Sequence, residues 1–576
     1  MLTRAKQAKA RLDDYLSAAG KPLSTTWIVL LALASGAVFL LLMNMEVGIY
    51  DEALVLQGAV QVGAGQVPHR DFFWIYGPMQ LWVVSGLFSV FGESVAVARI
   101  YDIAVRVGIV LLSGLAARRM GLRPSLVVAV MAIQAAVFVA ARFFLYPVYP
   151  SILCALAGTL LLFHDGAMRD ARAGRTVAAG MLTGVTALFR YDIGFFLLAA
   201  HVLALAFIAY AERAPFRLLA RQVFVYGVGI SIVFLPVAAA ALAVGAIPGF
   251  FHDIVAFPPA NYARMRSLPW PVPGPSLSSL LPLIVYVPFL AAALGLAWLL
   301  GTKPRGPGRA GFGAGAALAV ALLLMIGLFA LKGIVRVSFI HSVLALIPAM
   351  ILLVFLASRT AGRKLQLPTL AVLGAASLLI LASGLSALRA DARSGFEAAF
   401  PSQVLRGPPA ALRDERCAAR VDLGLGVVSA DTYRAACFLA AHSRPDEPVF
   451  VGAARHDRIY INNVALYFFS GRRPATNWYH LEPGLQTTEE VQRDIVADLI
   501  ANDVRWVLLD SIYADVEEPN ESAISSGVCL LDRFIADRYG EVARFGTVAV
   551  LMRREGLAPS RGLPASCEPA PEETPA

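Results

Sequence analysis

Two adjacent acidic residues, Asp51 and Glu52, are the first candidates for chemistry in this sequence. They follow a long apolar stretch by only a few residues, and carboxylates near a membrane are costly unless they have a role. A carboxylate here could take a proton from a substrate as a general base. Alternatively, Asp51 caps a helix, Glu52 lies in its first turn, and an amphipathic helix covers 54–66. Both interpretations stay open on these residues alone.

Further polar side chains follow in the same segment, among aromatic residues. His69, Arg70 and Asp71 come first, and Tyr76 then begins a Tyr-Gly-Pro turn. Charged and aromatic side chains together at a membrane interface suit a site for a polar group attached to a lipid. The same composition is typical of an aromatic belt, which has no catalytic role. We treat His69, Arg70, Asp71 and Tyr76 as candidate substrate-binding residues.

Basic residues later in the chain could bind a phosphate group. Lys332 and Arg336, followed by His341, lie between two apolar stretches, and cations in such a position can stabilise a departing phosphate. Their alternative role is to extend long side chains to the lipid head groups. Arg190 and Asp192 lie in another turn between apolar stretches, where they either pair with each other or face the substrate.

Composition places these candidates in a membrane protein. Of the 576 residues, 58% are hydrophobic and only 15% are charged, whereas soluble domains carry about 25% charged residues. The net charge of +9 does not indicate nucleic-acid binding, because the basic residues form short clusters between apolar stretches rather than one patch. Residues 27–388 are mostly apolar and residues 389–576 are not, which predicts two parts with different surroundings.

The apolar stretches predict a multi-spanning α-helical membrane domain over 27–388. A bilayer core about 30 Å thick needs roughly 20 apolar residues per helix, and this criterion predicts about eleven transmembrane helices. They are predicted at 27–45, 95–117, 125–143, 150–164, 177–189, 194–211, 222–245, 278–300, 312–331, 337–357 and 367–388.

The orientation follows from the connecting loops. Basic residues concentrate in alternate loops, such as 118–123 and 213–221, and such loops are expected on the cytoplasmic side. We therefore expect residues 1–26 in the cytoplasm and the outer loop 46–94 on the opposite face of the inner (plasma) membrane. A further span at 77–92 would place the later basic clusters outside, so that stretch is predicted to be an interfacial helix.

An odd number of spans places residues 389–555 outside the cytoplasm, as a periplasmic or extracytoplasmic domain. Apolar strand segments alternate there with amphipathic helices, which predicts a small α/β domain. The Pro- and Glu-rich tail, 556–576, is predicted to be disordered. The strands are predicted at 448–452, 504–510 and 547–552, and the helices at 488–502 and 529–539.

The cysteines argue against a zinc site, because none of the five forms a CxxC pair. An extracytoplasmic location would permit a disulfide between Cys417 and Cys437. Unpaired thiols are the alternative.

Several short motifs in the first 200 or so residues resemble those of the GT-C glycosyltransferases, which include the lipid A aminoarabinose transferases and the protein O-mannosyltransferases. The motifs also occur in the order found in that class. They are the Asp51-Glu52 pair just after the first span, a Gly65-x-x-Pro68 turn, the Tyr76-Gly77-Pro78 element, a helix ending Phe91-Gly92-Glu93, and Arg99 at the start of the next span.

The resemblance implies an enzyme that moves a hexosyl or pentosyl group from a polyprenyl-phosphate donor to a lipid, polysaccharide or protein acceptor of the cell envelope, with inversion. In the family, the aspartate that matches Asp51 acts as the base or orients the acceptor hydroxyl, and Glu52 is a less favoured substitute. Relatives carry basic residues near Lys332 and Arg336 that meet the carrier phosphate. No cofactor and no nucleic-acid partner are implied, and a divalent metal ion stays open.

The sequence departs from the family in its second outer loop. Many relatives carry an acidic residue there, but residues 143–150 contain no Asp or Glu. Either Asp71 or Asp192 takes that role, or a second acid is dispensable, or the protein does not catalyse. The missing acid also weakens the case for a metal, because hard cations need several oxygen ligands. The outer loop 250–276, which contains Arg266, either lines the acceptor cleft or is a passive cover.

Two other functions compete with a transferase: a transporter of lipid or polysaccharide, and a non-catalytic lipid-binding scaffold. Transporters usually place charged residues near the bilayer midplane and have two similar halves. In this sequence the charged residues lie at the outer ends of the spans, and the halves do not resemble each other. This pattern favours a transferase over a transporter.

Overall fold

The computed structural model of the protein describes residues 22–43, 45–165, 171–274, 277–301, 313–359, 363–395, 429–458 and 461–554. The predicted disordered tail, most of the predicted cytoplasmic segment and Cys417 lie outside these residues.

The described membrane part is helical. Its helices are α1 Thr25–Leu41, α2 Asp51–Gly63, α3 Met79–Phe91, α4 Val95–Arg119, α5 Pro124–Ala141, α6 Val148–Leu162, α7 Ala173–Phe189, α8 Tyr191–Ala211, α9 Phe216–Ala243, α10 Ile247–Phe250, a π-helical turn Phe251–Ala256, α11 Phe257–Met265, α12 Leu277–Leu280, a 3-10 turn Leu281–Tyr286, α13 Val287–Gly301, α14 Ala314–Gly333, α15 Phe339–Arg359 and α16 Arg363–Gly395.

The prediction of a multi-spanning helical protein is confirmed. Each predicted span coincides with a helix, or in the case of 278–300 with a helical series. Within the described residues, 7 helices are long and apolar enough to cross a membrane by length and composition, and α6 is a shorter apolar helix. α4 is also long, but it carries Arg99, Asp102 and Arg106 on buried positions, which raises the question of what pairs with them.

Glycines allow α7 and α9 to pack in direct backbone contact. A Cβ on Gly180 would lie 2.1 Å from the carbonyl oxygen of Tyr226, and one on Gly229 would lie 2.1 Å from that of Val177. Helix association inside a bilayer depends on such close packing because lipid is as apolar as the side chains. The contact fixes α7, whose C-terminal end is followed by Arg190.

The outer loop contains two helices, α2 and α3. The predicted helix after Asp51 is present, but Tyr50 is its N-cap residue and no side chain caps it, so Asp51 is the first helical residue and not the cap. The stretch 77–92 is helical over α3, and its interfacial position stays a prediction.

The C-terminal part is an α/β domain, as predicted. Its sheet has the order β2-β1-β3-β5-β4, with β1 parallel to β2 and β3, and β5 antiparallel to β3 and β4. The elements are α17 Ala430–His442, β1 Pro448–Ala453, α18 Ala465–Ser470, β2 Arg473–Pro474, α19 Glu489–Ala501, β3 Trp506–Asp510, a 3-10 turn Glu521–Ala523, α20 Leu530–Arg538, β4 Tyr539–Phe545 and β5 Val548–Arg553.

Alternate residues of the central strand serve two different cores. Leu508 of β3 belongs to the core that also contains the buried residues of α17 and α18, whereas Val507 and Leu509 pack with those of α19 and α20. This alternation follows from the two-residue period of a strand. The first of these cores continues into the membrane part, so the domain is attached to the outer loop by packing as well as by the chain.

Two of the three cysteines in the described residues are disulfide-bonded, so the alternative of unpaired thiols does not hold for those two. Cys437 and Cys529 are each disulfide-bonded, whereas Cys154 is a free thiol. Disulfides persist in oxidising compartments; the extracytoplasmic location of this domain stays a prediction.

Candidate active site

Asp51 is at the first position of α2, in the segment that connects α1 to α4. Its side chain is partly exposed, and no other side chain within the described residues forms a hydrogen bond with its carboxylate. The positive end of the helix dipole favours a negative charge at this position. Asp51 is therefore a carboxylate whose oxygens are not committed to another side chain of the described residues.

The neighbouring Glu52 has a different environment. Its two oxygens accept hydrogen bonds from Arg99 Nε and Nη2 at 2.7 and 2.8 Å, and Oε2 also accepts from the Gly48 N–H at 3.1 Å. Arg99 in addition donates to the carbonyl of Met45 at 2.7 Å, and it is fully buried. Glu52 and Arg99 thus tie α2 to α4 and to the end of the first span.

A second buried ion pair continues this network along α4. Arg106 Nε donates to Asp102 Oδ2 at 2.6 Å, and the N–H of Leu145 donates to Asp102 Oδ1 at 3.1 Å. The guanidinium groups of Arg99 and Arg106 lie 4.5 and 4.6 Å from the ring centre of Phe144. The charges on α4 therefore hold the second outer loop, which the sequence left without an acid, in one position.

That loop presents Tyr146 to Lys332 at the end of α14. Lys332 Nζ donates to Tyr146 Oη at 3.0 Å. No carboxylate of the described residues lies within ion-pair distance, 4.0 Å, of the Lys332 ammonium group. Lys332 is thus a cation with a neutral partner, which suits it to bind an anionic group.

Arg190 and Asp192 pair with each other, which was one of the two possibilities open from the sequence. Arg190 Nη2 and Nε lie 2.6 and 3.0 Å from the oxygens of Asp192, and the guanidinium lies 4.4 Å from the ring centre of Tyr76. A Cβ on Gly77 would lie 1.9 Å from the carbonyl oxygen of Leu188. Glycine at this position therefore lets the Tyr-Gly-Pro turn approach the end of α7 closely enough for the contact between Tyr76 and Arg190.

Arg336 connects the membrane part to the C-terminal domain. Its Nη1 and Nη2 atoms donate to Glu518 at 2.7 and 2.5 Å, and Nη1 also donates to the Arg266 carbonyl at 3.2 Å. The adjacent Asn520 donates to the carbonyl of Ser267 at 2.9 Å. His341 lies nearby, with Nδ1 2.7 Å from Ser338 Oγ.

A segment of the C-terminal domain, residues 477–486, crosses the outer loop; we call it the strap. The carbonyls of Asn477 and Leu481 accept hydrogen bonds from the Phe73 N–H at 3.1 Å and from Tyr50 Oη at 3.0 Å. The phenol of Tyr479 donates to the Leu54 carbonyl at 3.2 Å. The strap therefore brings His480 and Glu482 to the same place as Asp51.

The charges in this region influence one another. Burial raises the pKa of Asp51, and the guanidinium groups of Arg266 and Arg336 partly oppose that rise. Burial also raises the pKa of Glu482, where Arg266 lowers it and the negative charge of Asp51 raises it. Asp51, Glu482 and Arg266 therefore belong to one site, assembled from the outer loop, the strap and the end of α11.

Several buried polar atoms in this site have no hydrogen-bond partner within the described residues. They include both ring nitrogens of His480, Oε2 of Glu482, and Nε and Nη1 of Arg266. Burial lowers the pKa of His480 to about 3, so its ring is neutral near pH 7. An unpaired buried polar group costs about 1–3 kcal/mol, and such groups often mark functional sites.

The remaining candidates of the outer loop, His69, Arg70 and Asp71, have partners other than Asp51. His69 Nδ1 is 3.0 Å from Asp253 Oδ2, and this carboxylate also accepts from the Trp74 N–H at 3.1 Å. Arg70 and Asp71 pair with each other at 2.6 Å near the surface. Tyr76, Arg190, Asp192, Lys332, Arg336 and His341 belong to the same group of interacting charges as Asp51, whereas His69 pairs with Asp253, and Arg70 pairs with Asp71.

Sequence reasoning missed four residues of the site: Tyr50, Tyr146, His480 and Glu482. Tyr50 directly precedes Asp51 and could have been considered on that basis. The two strap residues carried no signal, because they lie in a segment without a recognisable motif, far from Asp51 along the chain. Among the described residues, no group of three or more His, Cys, Asp and Glu side chains could hold a metal ion.

No protein-family model and no curated protein sequence matches this chain. Solved structures do resemble it, among them two crystal structures of ArnT from Cupriavidus metallidurans, a lipid A aminoarabinose transferase of the GT-C class. The crystal structure bound to undecaprenyl phosphate has a TM-score of 0.51 at 16% identity and covers 93% of this chain and 99% of ArnT. The apo structure has a TM-score of 0.52 at 16% identity and covers 92% and 98%. The chain therefore has the fold of the GT-C membrane glycosyltransferases.

Proposed function

We propose that this protein is a membrane glycosyltransferase that moves a sugar from a polyprenyl-phosphate donor to an envelope acceptor at the outer face of the membrane. The observation that carries the proposal is the state of Asp51, a carboxylate without a side-chain partner among the described residues. It lies near Arg266 and near Tyr146, the hydrogen-bond partner of Lys332. Neither Arg266 nor Lys332 forms an ion pair within the described residues. A base beside uncommitted cations is what sugar transfer from a phosphate carrier requires.

The fold supports the same class of donor. ArnT from Cupriavidus metallidurans was crystallised bound to undecaprenyl phosphate, a polyprenyl phosphate. A lipid-linked donor also fits a site formed where transmembrane helices end, since the polyprenyl chain can stay in the bilayer while the phosphate reaches the outer surface.

In the proposed reaction, Asp51 accepts the proton of the acceptor hydroxyl as the hydroxyl oxygen attacks the anomeric carbon. The bond between that carbon and the phosphate oxygen breaks, its electron pair stays with the oxygen, and the configuration at the anomeric carbon inverts. The raised pKa of Asp51 makes this carboxylate a stronger base than an exposed aspartate, which suits general base catalysis near neutral pH.

Lys332 is the first choice for the cation that receives the carrier phosphate, since its only hydrogen-bond partner among the described residues is the neutral Tyr146. Arg336 is the second choice, because Glu518 already accepts from both of its terminal nitrogens. Glu52 has no catalytic role in this proposal, since Arg99 and Gly48 already donate to its oxygens.

The proposed topology follows the loop charges: an N-terminus in the cytoplasm, and the outer loop and the C-terminal domain outside the inner membrane. The proposed acceptor is a lipid, polysaccharide or protein of the envelope.

Mass spectrometry of envelope glycans in a set of matched strains tests the proposal. The strains are a deletion and the deletion complemented with wild type, with Asp51→Asn, or with Asp446→Asn as a matched control. Asp446 is 79% exposed, in a surface ion pair of the C-terminal domain. We expect one sugar to disappear in the deletion, to return with wild type and Asp446→Asn, and to stay missing with Asp51→Asn at equal membrane abundance.

Full restoration by Asp51→Asn would reject Asp51 as the base and favour a scaffold or a transporter. Loss with Asp446→Asn as well would trace the effect to expression or folding and not to chemistry.

A further inference from the structure

The site contains a second carboxylate that the sequence did not reveal. The second outer loop has no acidic residue, but Glu482 of the strap lies close enough to Asp51 for the two charges to affect each other. Glu482 is 2% exposed and His480 is fully buried. The C-terminal domain therefore places two polar side chains inside the site that holds Asp51.

Glu482 and Arg266 are near each other without forming an ion pair. Arg266 is the first cation that lowers the pKa of Glu482, yet no nitrogen of Arg266 lies within 4.0 Å of the Glu482 oxygens. Oε2 of Glu482 and Nε and Nη1 of Arg266 are buried without a hydrogen-bond partner within the described residues. The arrangement balances charge while it leaves Oε2 of Glu482 and the Nε and Nη1 atoms of Arg266 available.

We propose that Glu482, Arg266 and His480 bind hydroxyl groups of the transferred sugar, so that the C-terminal domain completes the donor site. This inference rests on the proposed function and extends it to the sugar-binding subsite. A hydroxyl group both donates and accepts hydrogen bonds. Glu482 supplies acceptors, Arg266 supplies donors, and the neutral imidazole of His480 supplies one of each.

The surroundings of His480 fit a sugar ring. The imidazole lies in a group of aromatic rings, with ring centres 5.1 Å from Phe73, 6.2 Å from Tyr50 and 6.3 Å from Trp74. Ligand sites usually combine such an apolar lining with a few polar groups that fix orientation. A sugar has the matching surface, with polar hydroxyl edges and less polar ring faces.

Charge argues against a phosphate in this subsite. Glu482 and Asp51 are both carboxylates and would repel an anion, whereas Lys332 has no carboxylate partner within ion-pair distance among the described residues. The carrier phosphate therefore belongs near Lys332, and the sugar hydroxyls near Glu482. This separation predicts that the strap affects recognition of the sugar but not recognition of the carrier.

Two measurements on the full-length protein in lipid nanodiscs test the inference. The first is binding of undecaprenyl phosphate alone. The second is turnover of undecaprenyl phosphate that carries the sugar missing from the deletion strain. We expect Glu482→Gln to reduce kcat/KM for the sugar-loaded donor about 10- to 100-fold, the effect of losing a hydrogen bond to a charged group, with unchanged binding of undecaprenyl phosphate. Glu517→Gln is the matched control, because Glu517 is 63% exposed on the same domain.

A double variant separates substrate binding from charge balance. If Glu482 only neutralises Arg266, Glu482→Gln with Arg266→Gln will recover the turnover that the single variant loses. If both residues bind the sugar, the double variant will be at least as impaired as either single one. His480→Asn removes an uncharged member of the subsite and is expected to reduce turnover while the carrier still binds, which provides a test independent of charge.

Three outcomes would overturn the inference: wild-type turnover in both Glu482→Gln and His480→Asn, recovery in the double variant, or loss of undecaprenyl phosphate binding in parallel with turnover. The proposed function fails separately, namely when Asp51→Asn also turns the donor over at the wild-type rate. If Glu482→Gln lowers the unfolding temperature, His480→Asn and Glu482→Asp, which keeps the charge, decide the question at matched amounts of folded protein.

Discussion

Two groups of charged residues lie next to each other around the start of α2, and they differ in how their charges are satisfied. In the α4 network, Glu52 pairs with Arg99 and Asp102 pairs with Arg106, at 2.7 and 2.6 Å, in almost complete burial. In the Asp51 site, Asp51 has no side-chain partner, and atoms of Arg266 and Glu482 are buried without a hydrogen bond within the described residues.

The difference teaches how to assign roles to neighbouring acids. A buried carboxylate whose oxygens already accept hydrogen bonds can only hold structure, because releasing it would leave its arginine unpaired in the protein interior. A carboxylate kept near cations without direct pairing costs stability, and proteins retain such arrangements at functional sites. Glu52 is a carboxylate of the first kind and Asp51 is one of the second kind, although the two residues are adjacent in the chain.

The largest expected effect, on the unfolding temperature, comes from breaking an ion pair of the α4 network. Glu52→Gln removes the charge that pairs with the fully buried Arg99, and breaking a buried pair costs about 3–5 kcal/mol. We expect a large fall in the unfolding temperature of the detergent-solubilised protein, whereas Asp51→Asn does not lower it. Equal unfolding temperatures for these two variants would remove the distinction between the two groups.

The next effect concerns the cation proposed for the phosphate. Lys332→Ala is expected to lower turnover about 100- to 1,000-fold, as loss of one charge-stabilising donor does in other enzymes, with little change in unfolding temperature. Lys332→Arg keeps the charge and is expected to retain part of the activity. Tyr146→Phe removes only the hydrogen bond to Lys332 and serves as the milder comparison. Full turnover by Lys332→Ala would shift the phosphate site to Arg336.

A smaller effect is expected in the pH dependence. Burial raises the pKa of Asp51 from 3.8, and Arg266 lowers it again in part, so activity falls on the acid side as this carboxylate gains a proton. Arg266→Gln removes the opposing positive charge and is expected to move the acid limb of the pH–rate profile to higher pH. Arg264→Gln, which removes an exposed arginine paired with Glu521, should leave that limb in place.

The pH dependence of the unfolding temperature tests the same raised pKa of Asp51. Because the folded-state pKa of Asp51 is raised, the residue favours folding only while it is protonated, and the benefit disappears as pH rises through the raised pKa. The unfolding temperature of Asp51→Asn relative to wild type should therefore increase with pH from about 3.8 upward. A constant difference across pH would contradict the raised pKa.

The smallest effect is expected at the edge of the outer loop. Asp71→Asn breaks an ion pair with Arg70 near the surface, and such pairs contribute little. Activity and unfolding temperature should both stay close to wild type. A strong loss of activity would instead support the alternative, open from the sequence, that Asp71 is the second acid of the site.

Local patterns were sufficient to predict most of the fold. The apolar stretches predicted the helices of the membrane part, because each span must satisfy its own backbone hydrogen bonds within lipid. The strands at 448–452, 504–510 and 547–552 and the helices between them were predicted from hydrophobic periodicity, which is equally local, and they are present as β1, β3, β5, α19 and α20.

The site was predictable only in part. Asp51 and Lys332 could be selected from the sequence because charged residues beside apolar stretches need a reason to be there. The same argument selected Glu52 and Asp71 equally well, since it counts charges and does not identify their partners.

By itself, therefore, the sequence determined the division into a membrane part and an α/β domain, the positions of the helices and strands, and the loop that carries Asp51. Only the tertiary structure decided that Glu52 is committed to Arg99, that Asp51 is available, and that Glu482 enters the site from the far end of the chain. The reason is physical: hydrophobic periodicity is set by near neighbours in sequence, whereas the pairing of a charge depends on which groups lie within a few ångströms of it in space.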